Sequence, residues 1–414
     1  MTLRHDPSRA TRSRGLLGVG AALALALAVS GCAASVSPTA QGQKRQPKGE
    51  DASQVSAPVV SQADIEANIR PGDDGVKVSR KVKVNVSDGT LKDVVVRSHR
   101  QRLAGKLSAN GTRWHATAPL EPGKRYVVDS KAVDAKGVVK RYRSTFRTQN
   151  LTLDQQTYPS FTPLDGSTVG IAMPVIIHFD VAVSNEAAIE KHLKVISQPA
   201  QIGAFHWISD HEVHWRPKHY WQPGTKVTVE ANIDSVPAGN GIYGQLDRTS
   251  HFTIGRDQVT KVNIATDQLK VYRDGALIRT IPVTTGKQPD YTTRSGVKVI
   301  VAKLRHTEMN SETIGIDPNS SEGYDLNNVE YDMRLTYSGE FLHAAPWSVA
   351  YQGHENVSHG CTGMSTANAA WLYNSSLVGD PVIFTGSDRG MTLDNGYGDW
   401  NLPFKEYKQG SALS

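Results

Sequence analysis

One cysteine and three histidines near the carboxyl-terminal end of the chain have the residue types of a nucleophilic site. Cys361 closes the segment Ser358-His359-Gly360-Cys361 and lies eighteen positions after His343, with His354 between them. The chain has only two cysteines, and a thiol with no disulfide partner is either inert or reactive. An imidazole beside a thiol produces a nucleophile that works at neutral pH. The pattern therefore favours an acyl-transfer enzyme.

The second cysteine, Cys32, follows a sequence typical of bacterial export. Residues 1–31 begin with arginines, continue with an apolar run over 15–29 and end in small residues. This run is short for a membrane span, and its flanks are those of a signal peptide. Small residues before a cysteine resemble a lipobox, which implies cleavage before Cys32 and lipidation of its thiol. An ordinary signal peptide and an uncleaved anchor remain alternatives.

Charge and composition say little about partners at the level of the whole chain. The formal net charge is +6, of which residues 1–31 contribute +3 through four Arg and one Asp. The small remainder is not a nucleic-acid footprint, so no nucleic-acid partner is expected. Residues 32–57 are poor in large apolar side chains, which predicts a disordered tether.

An internal repeat divides the middle of the chain. Trp114 is followed by Pro-Gly eight residues later, and Trp215 by another Pro-Gly at the same spacing. An alternating strand follows each Pro-Gly turn, and residues 134–137, Asp-Ala-Lys-Gly, predict the turn of a hairpin. Turn signals recur about every ten residues, as in a β-sandwich. We therefore predict a mainly β chain with two tandem immunoglobulin-like domains, 58–149 and 150–256, that act as spacers or face the cell wall.

From residue 257 the pattern changes to a β-rich region, 257–385, with a short helix capped by Ser365 and a last strand near Val382. The stretch 304–335 has no clear period, which is typical of an irregular lid. A tail, 386–414, is expected to pack on this region.

The segment from His343 to Ser348, followed by Gly353-His354 and the Ser-His-Gly-Cys motif, resembles the signature of the L,D-transpeptidase (YkuD-type) family. The tandem immunoglobulin-like arrangement and the tail around Trp400 are similar to actinobacterial members. This resemblance implies a location at the outer face of the bacterial cytoplasmic membrane or in the cell wall, a lipid anchor at Cys32, and peptidoglycan stem peptides as acyl donor and acceptor.

The resemblance also implies a mechanism without a metal or cofactor. Cys361 would attack a stem tetrapeptide, release D-Ala and form a 3→3 cross-link, with His343 as the base and the Ala344 carbonyl as its partner. Backbone N–H groups of His359, Gly360 and Cys361 would form the oxyanion hole, and carbapenems would acylate the thiol. The expected substrate contacts are Ser358, Tyr324, Met309, Trp347 and Asn356.

Two departures from the family pattern affect substrate contacts more than chemistry: Gly363 replaces a common arginine, and Thr292-Thr293-Arg294-Ser295-Gly296 lacks a common proline. Three alternatives stay open from the residues alone. They are a zinc site from His343, His354, His359 and Cys361, whose spacing fits no common pattern, a sortase-like cysteine transpeptidase, and a non-catalytic wall-binding lipoprotein.

Overall fold

Two β-sandwiches precede a third β-rich region in the part of the chain that the structure, a computed structural model, describes, residues 59–414. This part clusters as one unit and contains three hydrophobic cores. The predicted export signal, the tether and Cys32 lie outside the described residues. No helix between residues 59 and 414 is long and apolar enough to cross a bilayer.

The first sandwich packs two four-stranded sheets, with strand orders β1-β2-β6-β5 and β4-β3-β7-β8, over a core that includes Trp114 and Phe146. Along β7 nearly every second residue is buried, as one core-facing side requires. The predicted turn at Asp134–Gly137 joins β7 to β8. The strands are β1 (Asp64–Ala67), β2 (Lys83–Ser87), β3 (Thr90–Ser98), β4 (Gln101–Arg102), β5 (Gly105–Leu107), β6 (Arg113–Ala116), β7 (Arg125–Val133) and β8 (Val139–Arg147).

The second sandwich pairs a β10-β12-β15-β14 sheet with a β11-β19-β16-β13 sheet and adds a small β17-β18-β9 sheet. Its Trp215 is 7% exposed, and the equivalent Trp114 is 6% exposed, so the sequence repeat is also a repeat of core positions. The elements are β9 (Gln156–Thr157), β10 (Pro159–Thr162), β11 (Thr168–Val169), β12 (Val175–Phe179), α1 (Glu186–Glu190), β13 (Leu193–Gln198), β14 (Gly203–Ser209), β15 (Glu212–Pro217), β16 (Lys226–Ala231), β17 (Pro237–Gly239), β18 (Ile242–Gly244) and β19 (Arg248–Ile254).

The third region contains a five-stranded sheet, β22-β21-β20-β28-β23, and a four-stranded sheet, β24-β25-β26-β27, with α2 between their apolar faces. Ser365 caps α2, as predicted, by accepting from the Asn368 N–H at 3.4 Å. The elements are β20 (Gln258–Asn263), β21 (Gln268–Arg273), β22 (Ala276–Pro282), β23 (Gly296–Val299), β24 (Ala302–Asn310), β25 (Asp325–Arg334), β26 (Phe341–Ala344), β27 (Thr362–Met364), α2 (Thr366–Ser375), β28 (Pro381–Thr385) and α3 (Phe404–Tyr407). Short 3-10 turns span Leu153–Gln155, Ser311–Ile314, Pro346–Ser348, Gly398–Asn401 and Lys408–Gly410.

The stretch 304–335, predicted to be irregular, is largely a long hairpin of β24 and β25. Its register shifts between Thr307 and Met309, and neither face of β24 is fully buried. A bulged, half-exposed strand does not produce the strict alternation that marks a strand in sequence. Only residues 311–324 at its tip fit the predicted irregular lid.

The C-terminal tail packs on the third region, as the sequence predicted, and also contacts the second sandwich, which was not predicted. Met391 donates its N–H to Ser295 in that region at 2.9 Å. Further on, Trp400 donates to the Ala172 carbonyl of the second sandwich at 2.8 Å, and Asp399 pairs with His214 at 2.9 Å. Burial alone would lower the pKa of the His214 imidazole. The negative charges of Asp399 and Glu212 have the larger effect and raise this pKa to about 9. The tail therefore fixes the second sandwich against the catalytic region through a buried ion pair.

Candidate active site

Two neighbouring parallel strands bring the histidine and the cysteine of the motif together. β26 pairs with β27 in parallel, with His343 opposite Gly363, and Cys361 directly precedes β27. Successive side chains of a strand point to opposite faces. Cys361, two positions before Gly363, therefore faces the same side of the sheet as His343, as a nucleophile and its base require.

His343 is held in the tautomer of a general base. Its side chain is buried, and its Nδ1 atom lies 2.8 Å from the Ala344 carbonyl oxygen. Because a carbonyl oxygen can only accept, Nδ1 carries the proton and Nε2 remains free to accept one. Burial lowers the pKa of His343, so the ring is neutral at physiological pH.

The Cys361 thiol is also neutral in this state. Its Sγ atom donates to the Gly339 carbonyl at 3.4 Å. Burial raises the pKa of the thiol to about 12, and the Glu340 carboxylate adds to this, whereas the Phe341 backbone N–H and the Lys298 ammonium act in the opposite direction. The site therefore starts as a thiol and an imidazole rather than as a preformed ion pair.

The turn before Cys361 is fixed by Ser358. Its hydroxyl donates to the Cys361 carbonyl at 2.6 Å and accepts from the Gly360 N–H at 3.2 Å. Gly360 has a φ of +122°, a conformation that a side chain would strain. Since its N–H is engaged by Ser358, the predicted oxyanion donors that this contact leaves open are those of His359 and Cys361.

A cavity of about 300 Å³ opens above the thiol. Trp347, 55% exposed, stacks on the His343 ring with centroids 6.0 Å apart. Met309, Tyr324 and Trp347, which the sequence predicted as substrate contacts, line the cavity. Leu326 and Val357 also line it, and the sequence did not single them out. The complete lining is Met309, Tyr324, Leu326, His343, Trp347, Val357, Ser358, His359 and Cys361.

The His359 ring is held between two tyrosines. Its centroid lies 4.4 Å from that of Tyr291 and 5.0 Å from that of Tyr324, and its Nε2 atom is 3.6 Å from Glu322. The contacts with Tyr324 and Glu322 connect the motif to the tip of the hairpin.

Asn356 lies outside the cavity lining, although the sequence predicted a substrate contact. Its Oδ1 atom accepts from both the N–H and the hydroxyl of Thr285 at 2.6 Å, and its Nδ2 atom donates to the Ile264 carbonyl at 2.9 Å. The side chain is committed to holding the loop before the motif, so we assign it a positioning role.

A buried group of charges beneath the thiol was not foreseen. Lys298 is fully buried and forms an ion pair with Glu340, and Arg294 reaches the same carboxylate at 3.0 Å. These residues come from distant parts of the chain, and none belongs to the motif. The only sequence signal was the segment 292–296, which contains Arg294 and lacks a proline common in the family pattern.

The four residues of the alternative zinc site do not form a ligand cluster. Among residues 59–414, no group of three or more His, Cys, Asp or Glu side chains is arranged to hold a metal ion. A neutral thiol and a tautomerically fixed imidazole on adjoining strands, under an aromatic cavity, define a cysteine acyltransferase.

Comparison with known proteins specifies this class further. Residues 257–384 match the L,D-transpeptidase catalytic domain family and residues 73–237 match the bacterial Ig domain family. L,D-transpeptidase 2 of Mycobacterium tuberculosis is 36% identical over 351 residues, covering 84% of this chain and 85% of that protein. L,D-transpeptidase 5 of the same species is 33% identical over 354 residues, which cover 83% of this chain and 76% of that protein. The chain belongs to the L,D-transpeptidase family, and it is an acyltransferase enzyme with immunoglobulin-like domains.

Among solved structures, an LD transpeptidase in complex with imipenem is 35% identical, with a TM-score of 0.49, and covers 56% of this chain and 99% of that one.

Proposed function

We propose that this enzyme forms 3→3 cross-links in peptidoglycan through a thioester on Cys361, with release of D-Ala from a stem tetrapeptide. The observation that carries this proposal is the placement of Cys361 and His343 on one cavity, with His343 neutral and its Nε2 atom free. The donor peptide occupies the cavity with its terminal amide carbonyl over the thiol.

In the first half-reaction, Sγ attacks the carbonyl carbon of the third residue while His343 Nε2 takes the thiol proton. The developing oxyanion is stabilised by backbone N–H groups of the motif turn. Collapse of the tetrahedral intermediate breaks the C–N bond to D-Ala, and His343 returns the proton to the leaving amine. A thioester and free D-Ala result.

In the second half-reaction, the side-chain amine of a neighbouring stem attacks the thioester. His343 removes the extra proton of that amine and delivers it to the departing sulfur, which restores the thiol. The product amide is the 3→3 cross-link, and no cofactor takes part. The exposed face of Trp347 provides an apolar surface beside the imidazole for the acceptor stem.

Carbapenems react with the same thiol. Attack of Sγ on the β-lactam carbonyl breaks the strained C–N bond, the ring nitrogen takes the proton, and the opened drug stays on Cys361 as a thioester. The half-open, largely apolar cavity accepts a compact bicyclic ring without a change in the chemistry.

The enzyme works at the outer face of the cytoplasmic membrane, held by a lipid on Cys32. The basic, apolar and small-residue order of residues 1–31 supports this location. Expression of the full chain and a Cys32→Ser variant in a bacterium that lipidates exported proteins tests it: only the unchanged chain is expected to incorporate labelled palmitate. Equal labelling would refute the anchor.

The enzymatic proposal is tested with residues 59–414 and a disaccharide-tetrapeptide. We expect a transient adduct on intact protein, free D-Ala and a 3→3 dimer, and none of these from Cys361→Ala. D-Ala without dimer, even with acceptor in excess, would indicate a carboxypeptidase instead. Absence of adduct and D-Ala from folded, reduced protein would refute the proposal for this substrate.

A further inference from the structure

The small net charge of the whole chain conceals two parts of opposite sign. Residues 59–149, the first sandwich, contain 19 Lys and Arg residues and 9 Asp and Glu residues, a net charge of +10. Residues 150–414 contain 20 Lys and Arg residues and 28 Asp and Glu residues, a net charge of −8. Such separation between domains indicates a partner for the basic domain rather than general solubility.

Half of this net positive charge lies on the outer face of one sheet, β4-β3-β7-β8. We call this surface the basic face and define it by the outward-pointing charged residues of these four strands, as fixed by their register. It carries seven basic and two acidic side chains, an excess of five positive charges. They are Arg97, Arg102, Arg125, Lys131, Arg141, Arg143 and Arg147, with Asp93 and Asp129.

The cross-strand pairing of the basic face is unfavourable for the isolated protein. Arg125 lies directly opposite Arg147, and Lys131 directly opposite Arg141, and like charges at such positions destabilise a sheet. Asp129 pairs with Arg97 at 3.5 Å and with Arg143 at 3.4 Å. Within residues 59–414, the other five basic side chains of this face form no ion pair. Lys131 also lies opposite Asp93 on its other side, and an external anion would offset the repulsion that remains.

The opposite sheet of the same sandwich provides an internal comparison. Its outward-pointing charges are nearly balanced: Lys83, Lys106 and Arg113 against Asp64 and Glu66. Two sheets of one small domain thus differ by four charges in their outward faces, so the basic face is the more positive of the two sheet surfaces.

We propose that the basic face docks onto an anionic phospholipid bilayer. A four-stranded sheet presents its cations as a broad, flat array, which matches a planar layer of headgroups rather than a single ligand. Basic residues near such a surface are attracted by its negative potential. The net charge of −8 on the remainder of the described chain is repelled by the same potential, so the molecule is oriented with its catalytic region away from the membrane.

The position of the basic face along the chain supports this partner. Only 26 residues separate Cys32 from the first described residue, Val59, and even a fully extended chain of that length spans at most about 90 Å. If Cys32 is lipidated, the first sandwich is thus kept within reach of the headgroups. The attraction of the face does not depend on that lipid.

The test uses residues 59–414, which contain all three hydrophobic cores and lack Cys32, so that failure of the anchor and failure of this proposal are separable. The protein is expected to sediment with phosphatidylglycerol–phosphatidylcholine vesicles. It is not expected to sediment with pure phosphatidylcholine vesicles. Binding should weaken steeply with added salt.

The matched variants carry the same change in net charge on different faces. Replacing Arg125, Arg141 and Arg147 by Glu should weaken vesicle binding at least on the order of 100-fold, since each basic residue contributes roughly 5-fold. Replacing Lys83, Lys106 and Arg113 by Glu on the opposite sheet should have a much smaller effect. Acylation of Cys361 by a carbapenem and thermal unfolding verify that both variants fold.

Three results would overturn the proposal. One is equal loss of binding in the two variants, which would mean that net charge alone acts. Another is absence of binding to the anionic vesicles at low salt. The third is tight binding to soluble polyphosphate that is not accompanied by vesicle binding, which would make the partner an anionic polymer.

Discussion

The charge cluster beneath Cys361 is the sharpest test of how this enzyme positions its thiol. Lys298 and Arg294 both contact the Glu340 carboxylate, and Arg294 also donates to the Ser338 hydroxyl at 3.1 Å. These contacts enclose Gly339, whose carbonyl accepts the hydrogen bond from Sγ. The substitution Glu340→Gln keeps the shape of the side chain and removes only its charge.

The expected cost follows from the burial of Lys298. Breaking a buried ion pair by removing one partner costs about 3–5 kcal/mol. The lower end applies because burial lowers the pKa of Lys298 to about 8 even with Glu340 beside it, so without that carboxylate the amine can lose its proton instead of remaining buried as an unpaired cation. We expect Glu340→Gln to reduce the free energy of unfolding by about 3 kcal/mol. In the double variant Lys298→Met/Glu340→Gln most of this loss should be recovered, because no lysine charge is left buried beside the neutral amide.

The same substitutions should move the reactivity of the thiol in opposite directions. Glu340 raises the pKa of Cys361 and Lys298 lowers it, so at mildly alkaline pH the thiolate fraction rises in Glu340→Gln and falls in Lys298→Met. Residues 59–414 contain no other cysteine, so alkylation by iodoacetamide, followed by intact mass, reports Cys361 alone. Chemical unfolding of the same samples gives the stability.

Two results would refute this reasoning. If the double variant is as unstable as Glu340→Gln, the loss does not come from an unpaired buried charge. If both single variants alkylate at the unchanged rate while their stability falls, the cluster supports the fold without tuning the thiol.

The remaining predictions concern the tail, the motif loop and the hairpin tip. The pKa of His214 is raised from 6.5 to about 9 in the folded chain. Its stabilisation of about 3 kcal/mol is therefore complete below pH 6.5 and is lost as the pH rises through 9. Urea unfolding measured as a function of pH should show this decline, and the decline should be absent in His214→Gln. Asn356→Ala should lower the free energy of unfolding by about 2–3 kcal/mol through its three hydrogen bonds and slow acylation by a carbapenem; an unchanged acylation rate would contradict the positioning role. The pair of Lys287 and Glu322, 3.7 Å apart and nearly half exposed, should matter little, so Lys287→Ala is expected to change the unfolding free energy by less than about 0.5 kcal/mol in the same assay.

Local patterns in the sequence predicted most strands because each depends on its own residues. The alternation along β7 and the turn at Asp134–Gly137 are both local, and the structure confirms them. The long hairpin of β24 and β25 was missed because its bulge and its exposure remove the alternation. The alternation arises where one face of a strand is buried in the folded sheet, and neither face of β24 is fully buried.

The site was predictable only to the extent that its residues are contiguous. His343 and Cys361 belong to one motif, and the structure brings them to adjoining strands. Lys298 and Glu340 are 42 positions apart and meet only because β23 and the turn before β26 converge beneath the thiol. From sequence alone, a lysine in a strand is expected to face solvent, and the residues next to Lys298 in the chain do not indicate a buried partner.

The neutral resting state of the nucleophile has a consequence for catalysis. Moving the proton from Cys361, with a pKa of about 12, to an imidazole of at most the ordinary pKa of 6.5 costs roughly 7 kcal/mol before the two charges attract each other. A free thiolate is therefore scarce in the empty site, which protects the thiol from oxidation, since susceptibility follows thiolate character. In the proposed mechanism, proton transfer to His343 accompanies formation of the carbon–sulfur bond, so that negative charge appears on the substrate oxygen beside the backbone N–H groups instead of on sulfur. Substrate binding and activation of the nucleophile are then one event, and the enzyme holds a reactive cysteine without exposing a reactive thiolate.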